Sequence, residues 1–250
     1  NCAPTRTDLV RAQFIAPPGD IAPPGDIAPP GGIAPPGGIA SPGDIAPPGG
    51  IAPAGSSGTP QTVLTLRGHA LQILQDDRIF ARGRLDPATR MLAEVFEIPR
   101  GAAVLDLGCG GGILGVLAAV LEPTSRVTLV DSDPIAVQVS RQNAALNGAT
   151  NVEVYLSDVL GAIPDRTFDV VLMNPPFHRG RRHDVTLAER FIRDASRALR
   201  PGGALYVVCN RFLRYEPLLG QLLGSVREVT GNSQFKVLLA RRPTIGRRTT

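Results

Sequence analysis

The chain has 250 residues, 43% hydrophobic and 19% charged, which is enough apolar content for a packed core and excludes a wholly disordered protein. Its longest apolar run, Ile113 to Leu121 interrupted by Gly115, falls short of the roughly 20 residues that cross a bilayer; with no secretory layout at the start, no membrane partner and a cytoplasmic setting are expected. Net charge is +4, and Cys2, Cys109 and Cys209 lie too far apart for a disulfide framework or a metal-ligand cluster.

Residues 1–58 carry Arg6 and Arg11 against Asp8, Asp20, Asp26 and Asp44, a balance of −2 that leaves +6 for the rest. Within 15–56 a six-residue unit repeats, Ile-Ala-Pro-Pro-Gly-Asp in its first copy. A hexapeptide β-helix is one reading, but paired prolines in most repeats remove ladder donors. One isoleucine in six also buries too little apolar surface to offset the entropy of ordering. Solvated polyproline II and turns are expected, so 1–58 reads as a disordered segment, a spacer or an over-extended reading frame.

From residue 59 onward the texture alternates between strand and helix. Residues 102–107 form a short apolar run ending at glycines, a buried strand, and 113–120 continue as an apolar helix. A β-branched strand follows over 126–131, then a helix over 134–147, with Pro134 suited to its first turn and Asn147-Gly148 to its end. Strands are predicted at 152–156, 168–173 and 204–209, with a helix over 187–199 stopped by Pro201-Gly202-Gly203. A helix over 215–223 precedes a closing antiparallel pair, 226–230 and 234–240. The alternation implies an α/β, doubly wound, mainly parallel sheet over 59–241, with the ligand site at the carboxyl ends of the strands. Residues 242–250 are expected to be a flexible basic tail.

Two motifs lie at those carboxyl ends. Asp106-Leu-Gly108-Cys109-Gly110-Gly111-Gly112 joins the first strand to its helix, and Asp131 ends the next strand, where an acid meets ribose hydroxyls. The spacing Gly-x-Gly-x-Gly differs from the dinucleotide pattern. Asp106 would oppose a pyrophosphate but suits a cationic amino-acid group, which favours S-adenosylmethionine over NAD. Asn174-Pro175-Pro176-Phe177 directly follows another strand, and the paired prolines must carry the chain out of the sheet there.

These residues resemble a class I S-adenosylmethionine-dependent methyltransferase over roughly 60–241, with the family's Rossmann-like, mainly parallel seven-stranded sheet and an antiparallel strand near the C-terminus. The resemblance implies that Asp106, Gly108, Cys109, Gly110 and Gly112 border the methionine part of the cofactor. It implies that Asp131, with Ser132 beside it, holds the ribose, and that Asp158 after Ser157 meets the adenine amine. A cap or turn aspartate is the alternative for Asp158. The tetrapeptide resembles the signature of enzymes that methylate planar nitrogens. Asn174 and Pro175 would offer carbonyls to an amine whose lone pair is delocalised, Pro176 would stiffen the corner, and Phe177 would stack the base. Asn174 would also border the cofactor.

Arg84-Leu85-Asp86-Pro87-Ala88-Thr89, Asn174 through His178, and Gln234-Phe-Lys236-Val together resemble the catalytic domain of bacterial small-subunit ribosomal RNA guanine-N2 methyltransferases. Asp86 and Thr89 are then expected at the cofactor entrance, among the substrate-binding residues. Arg179, Arg181 and Arg182, with His178, are expected to position RNA through phosphates; an ordinary solvated arginine loop is the alternative. Many members carry a second, degenerate domain upstream, where this chain has the repeats. No metal is expected, since His178, His183 and Asp184 read as an exposed polar cluster. The partner expected is RNA, ribosomal RNA or the small subunit, for a monomer or weak dimer. Adenine N6, a protein glutamine, or an inactive RNA-binding module are the alternatives.

Overall fold

The computed structural model of the chain describes residues 61–175 and 182–244, save the side chains of Gly83 and 182–185. The repeats, residues 176–181 and the final six residues lie outside it, and with them the readings made for Pro176, Phe177, His178, Arg179 and Arg181.

Seven strands form one sheet: β3 (Ala103–Leu107), β4 (Arg126–Asp131), β5 (Val152–Leu156), β6 (Phe168–Met173), β7 (Leu199–Asn210), β8 (Ser225–Gly231) and β9 (Phe235–Arg241). Their order is β5-β4-β3-β6-β7-β9-β8, parallel from β5 to β7, with β9 running antiparallel between β7 and β8. This is the doubly wound arrangement expected from the alternation. All five residues of β3 are buried because helices cover both faces of a central parallel strand. On one face pack α1 (Pro87–Ala93), α2 (Ile113–Leu121) and α3 (Pro134–Leu146), around Phe96, Leu117 and Leu129. On the other pack α4 (Arg182–Ala198) and α5 (Glu216–Leu223), around Leu107, Ile192 and Leu219.

The helix starts follow local chemistry. Asp133 caps α3 by accepting from the Ile135 amide, and Pro134 occupies the first turn, where its missing N–H costs nothing. At the other end Gly148 takes φ +62° after Asn147. Among the described residues no helix is long and apolar enough to cross a membrane.

Several elements differ from the expectation, among them α4, which begins at Arg182, five residues before the predicted start. An unpredicted hairpin, β1 (Gln61–Leu66) and β2 (His69–Leu74), turns through Arg67 and Gly68, both at positive φ as two-residue hairpin turns require. Helix α1 is also new, although Asp86 and Pro87 are a cap and first-turn proline readable in the sequence. Strand β7 begins at Leu199, five residues early, because Pro201-Gly202-Gly203 is absorbed in an irregularity against β6 and held by Gly202 and Gly203 bonds to Arg242.

Candidate functional site

The carboxyl ends of β3, β4, β5 and β6 converge on a cavity of about 340 Å³, within the usual range for small ligands. Gly108 and Gly110 line it from the loop after β3, Asp131 and Ser132 from the end of β4, Asp158 from the turn after β5, and Asn174 from the end of β6. Residues read from separate motifs therefore meet at one place.

The loop is shaped by its own backbone. The Gly108 and Cys109 amides donate to the Val130 carbonyl at 2.8 and 3.0 Å, clamping the loop onto the neighbouring strand. Gly108 has φ +73°, and a Cβ there would stand 3.2 Å from Phe191, so only glycine lets the backbone form this wall. Asp131 accepts from the Gly110 amide at 2.8 Å through Oδ2 and from the Asp133 amide at 2.9 Å through Oδ1. A carboxylate offers about four acceptor positions, so two remain for hydroxyl donors in the cavity. Behind the loop, buried Asn143 donates to the Gly111 carbonyl and accepts from the Leu74 amide, tying the loop to the hairpin.

Asp106 is 2% exposed. Its Oδ2 accepts at 2.8 Å from the Gly115 amide, one of the donors that the start of α2 leaves unmet, because Gly112 has no side chain to cap it. Its Oδ1 makes no hydrogen bond among the described residues, and Asp106 lines a small recess off the cavity together with Cys109, Thr89 and Arg84. Burial pushes the Asp106 carboxyl up to about 7; the Gly115 bond opposes the rise and the charge of Asp131 adds to it. A buried carboxyl with one unused oxygen suits a cationic partner. Burial, then the Asp106 and Asp131 charges, push the Cys109 thiol well above its ordinary value, which leaves it no thiolate character.

One assignment changes and one alternative is narrowed. Gly112 lines neither the cavity nor the recess: a Cβ there would lie 2.8 Å from both Leu129 and Ser140, so it serves the packing of α2 on β4 and α3. Asp158 caps no helix. Its carbonyl accepts from Gly161 in a turn, and its exposed carboxylate receives the Arg190 guanidinium at 2.9 Å at the cavity rim. It is thus both a turn residue and a lining residue.

Asn174 lies at a junction. It lines the cavity, the recess and a further hollow of about 590 Å³ that also involves Pro175. Its Nδ2 donates to Asp86 Oδ2 at 3.1 Å and to Thr89 Oγ1 at 2.9 Å, which accounts for both amide hydrogens. Thr89 in turn donates its hydroxyl to Asp86, which also caps α1 through the Ala88 and Thr89 amides. The network fixes the orientation of the amide and leaves Oδ1 for a ligand. Asp86 and Thr89 thus engage Asn174, with Asp86 facing the hollow and Thr89 the recess. Arg182 opens α4, and its side chain lies outside the description.

Phe80, Leu187 and Phe191 also line the cavity and were not anticipated. Leu187 and Phe191 stand four apart on α4, a spacing the helical stripe could have revealed. Phe80 sits on a short 3-10 turn, Phe80–Gly83, where Ala81 and Arg82 both have φ +54°. Nothing in its local sequence marks it.

The residues present fit S-adenosylmethionine: a glycine-walled cavity, an acid with free acceptor positions on β4, and a buried acid at the recess. The chain is 39% identical over 181 residues to ribosomal RNA small subunit methyltransferase C of Pseudomonas paraeruginosa, covering 72% of this chain and 54% of that protein. It is 38% identical over 177 residues to ribosomal RNA large subunit methyltransferase G of Shewanella amazonensis, covering 69% and 46%. Among solved structures, the T. thermophilus 16S rRNA N2 G1207 methyltransferase RsmC, in complex with AdoMet and guanosine, superposes with TM-score 0.65 at 30% identity, over 73% of this chain and 50% of that one. The chain spans about half the length of the curated relatives it matches. The methyltransferase small domain matches residues 70–239, and the chain belongs to that family.

Proposed function

We propose that this chain transfers a methyl group from S-adenosylmethionine to an exocyclic amine of ribosomal RNA, N2 of a guanine. The observation that carries the proposal is Asn174, at the meeting point of three hollows, with both amide hydrogens already bonded and its carbonyl oxygen unused. The relatives are named for ribosomal RNA of both subunits, and the T. thermophilus neighbour for guanine N2.

When bound, S-adenosylmethionine supplies an electrophilic methyl on a positively charged sulfur. Asp131 would accept from its ribose hydroxyls, and Asp106 would face its cationic amino-acid end. Asn174 Oδ1 and the Pro175 carbonyl each accept one N–H of the amine. That grip raises electron density on a nitrogen whose lone pair is otherwise drawn into the ring, and it aims the lone pair along the line of transfer. The rate gain comes from positioning rather than from a dedicated base, and the nitrogen's surplus proton passes to water.

The deciding measurement is transfer of labelled methyl to unmodified ribosomal RNA and to assembled subunits, followed by nucleoside mass analysis. The expected product is N2-methylguanosine. N6-methyladenosine, or label in protein glutamine, would overturn the guanine assignment, and no transfer to any of these would overturn the enzyme reading.

A further inference from the structure

Gln234-Phe235-Lys236-Val237, where β9 starts, holds the only lysine among the chain's 26 basic residues. It is also the one basic side chain buried among the described residues, at 5% exposure. A compact ammonium on a flexible stem fits where the planar fork of an arginine does not, and burying it is costly unless a partner meets it. The partner is Glu216, the first residue of α5, whose carboxylate pairs with Lys236 Nζ. Across the ladder Lys236 stands opposite Cys209 of β7. Burial pushes that thiol up to about 12 against the pull of the Lys236 charge, so it stays neutral and offers no second counter-charge.

The pair closes a bracket around residues 211–215, the segment that joins β7 to α5. At one end the Arg211 guanidinium bonds to the Glu228 carboxylate, with Nη2 at 2.8 Å from Oε1, and to the Asn232 carbonyl. The Arg211 amide donates to the Gln234 carbonyl at 2.8 Å. At the other end Lys236 holds Glu216. Leu213 and Tyr215 are buried between the two, but apolar contact is non-directional and fixes no spacing. The two ion pairs are unequal. Arg211 and Glu228 are 41% and 40% exposed, where water leaves an ion pair little net worth. The Lys236 side chain is 6% exposed, so its pair is screened far less.

What the bracket holds is a wall. Asn210 and Phe212 on one side and Ser233 and Gln234 on the other line the hollow that Asn174 and Pro175 also face. Lys236 lines neither that hollow nor the cofactor cavity, so any effect on transfer must pass through its neighbours. We infer that Lys236 is a positioning residue: paired with Glu216, it sets the spacing of the 210–212 and 233–235 segments and so the place where the RNA acceptor meets Asn174. The inference rests on the proposed function and adds to it a charge that acts from behind the site. A reacting group misplaced by about 1 Å can cost up to about a hundredfold in rate, and a slackened wall should cost part of that.

The test uses the full chain and Lys236→Met, which keeps the length of the stem and removes the charge. The Glu216 carboxylate left behind is 37% exposed and can turn to water, so the variant should fold. Calorimetric titration with S-adenosylhomocysteine counts intact cofactor sites, and its affinity should hold within about twofold. Per counted site, methyl transfer at saturating ribosomal RNA should fall by about tenfold, with KM for RNA within about twofold. Amide exchange should quicken at 209–216 and 232–236 and keep its rate at 106–112. Adding Glu216→Gln to Lys236→Met should cost nothing more, because the two act as a unit. An unchanged rate per site, or a further loss in the double variant, would overturn the inference. So would a parallel loss of S-adenosylhomocysteine affinity, or exchange that quickens throughout the sheet, since either would make Lys236 a support of the whole fold. A wild-type chain that labels no RNA would bring down the proposed function and the inference with it, whereas a labelling wild type matched by Lys236→Met would bring down the inference alone.

Discussion

The cavity at the glycine loop and the hollow beside Pro175 share Asn174 and Phe80 but are built in opposite ways. The first is assembled from short turns that each directly follow a parallel strand, so its shape comes from backbone bonds between adjacent strand ends such as Gly108 to Val130. The second is assembled from 80, 86, 174–175, 210–212 and 233–235, stretches joined only by long-range bonds such as Asn174 to Asp86, 88 residues away. One half is a property of strand ends, and the other is a property of the finished fold. Changes in the first should therefore alter cofactor binding, and changes in the second should alter turnover or nucleoside binding.

The largest expected effect falls on Asn174, the polar residue both halves share. Asn174→Ala removes the oxygen proposed to grip the amine, and single-turnover rates should fall by about a hundredfold, the scale of losing one oriented polar group in a transition state. Cofactor affinity should hold within about threefold. A variant that turns over normally would dissolve the distinction, since the junction would then do nothing for the acceptor. Asp131→Ala comes next and should do the reverse. Calorimetric titration should show S-adenosylmethionine bound about tenfold or more weakly, through lost ribose bonds and a loosened Gly110 amide. If the rate at saturating cofactor fell as much as the affinity, the two halves would not be separable.

Legibility in the sequence follows the same divide. The seven strands of the main sheet, helices α2 to α5, the glycine loop and Asp131 could be read because apolar runs, glycines and turn residues mark each in its own stretch of sequence. Gly112 was misassigned because glycine in a loop signals backbone freedom without saying which way the missing Cβ faces. Here that direction is toward Leu129 and Ser140. The hairpin escaped notice although Gln61 to Leu66 and His69 to Leu74 flank a turn with glycine, a pattern that was available. That Phe80 and Phe212 line one hollow could not have been read, because an exposed phenylalanine has no local signature and only the fold brings the two there.

Thr89→Val tests whether the hydroxyl bonded to Asn174 matters for orientation. Valine keeps the shape of threonine and removes one of the two acceptors of the amide. With less to hold the amide, kcat should drop by roughly three- to tenfold, about the net worth of one buried hydrogen bond, at unchanged KM for cofactor. Thr89→Ser should recover most of the loss. In an Asn174→Ala background the same change should cost nothing more, because residues acting as a unit are not additive. An undiminished further loss there would mean that Thr89 acts on something other than the amide.

The smallest effect concerns Asp106, whose folded carboxyl stands at about 7, against about 3.9 for an unfolded aspartate. In the free protein it is therefore largely neutral at pH 6 and largely ionised at pH 8. Because the folded value is raised, the stability it contributes is fully present below about pH 4 and is lost as pH climbs through about 7. The ligand-free protein should thus melt lower at pH 8 than at pH 6, and Asp106→Asn should flatten that difference. Cofactor affinity should run the other way, since a cationic amino-acid end favours the ionised carboxylate and wild type should bind a few-fold tighter at pH 7.5 than at pH 6. Ionisation of the ligand itself is common to both proteins, so the informative quantity is the wild-type dependence minus that of Asp106→Asn. Parallel curves would leave Asp106 as a cap for α2 alone, held there by the Gly115 amide, and would remove the recess from the cofactor half of the site.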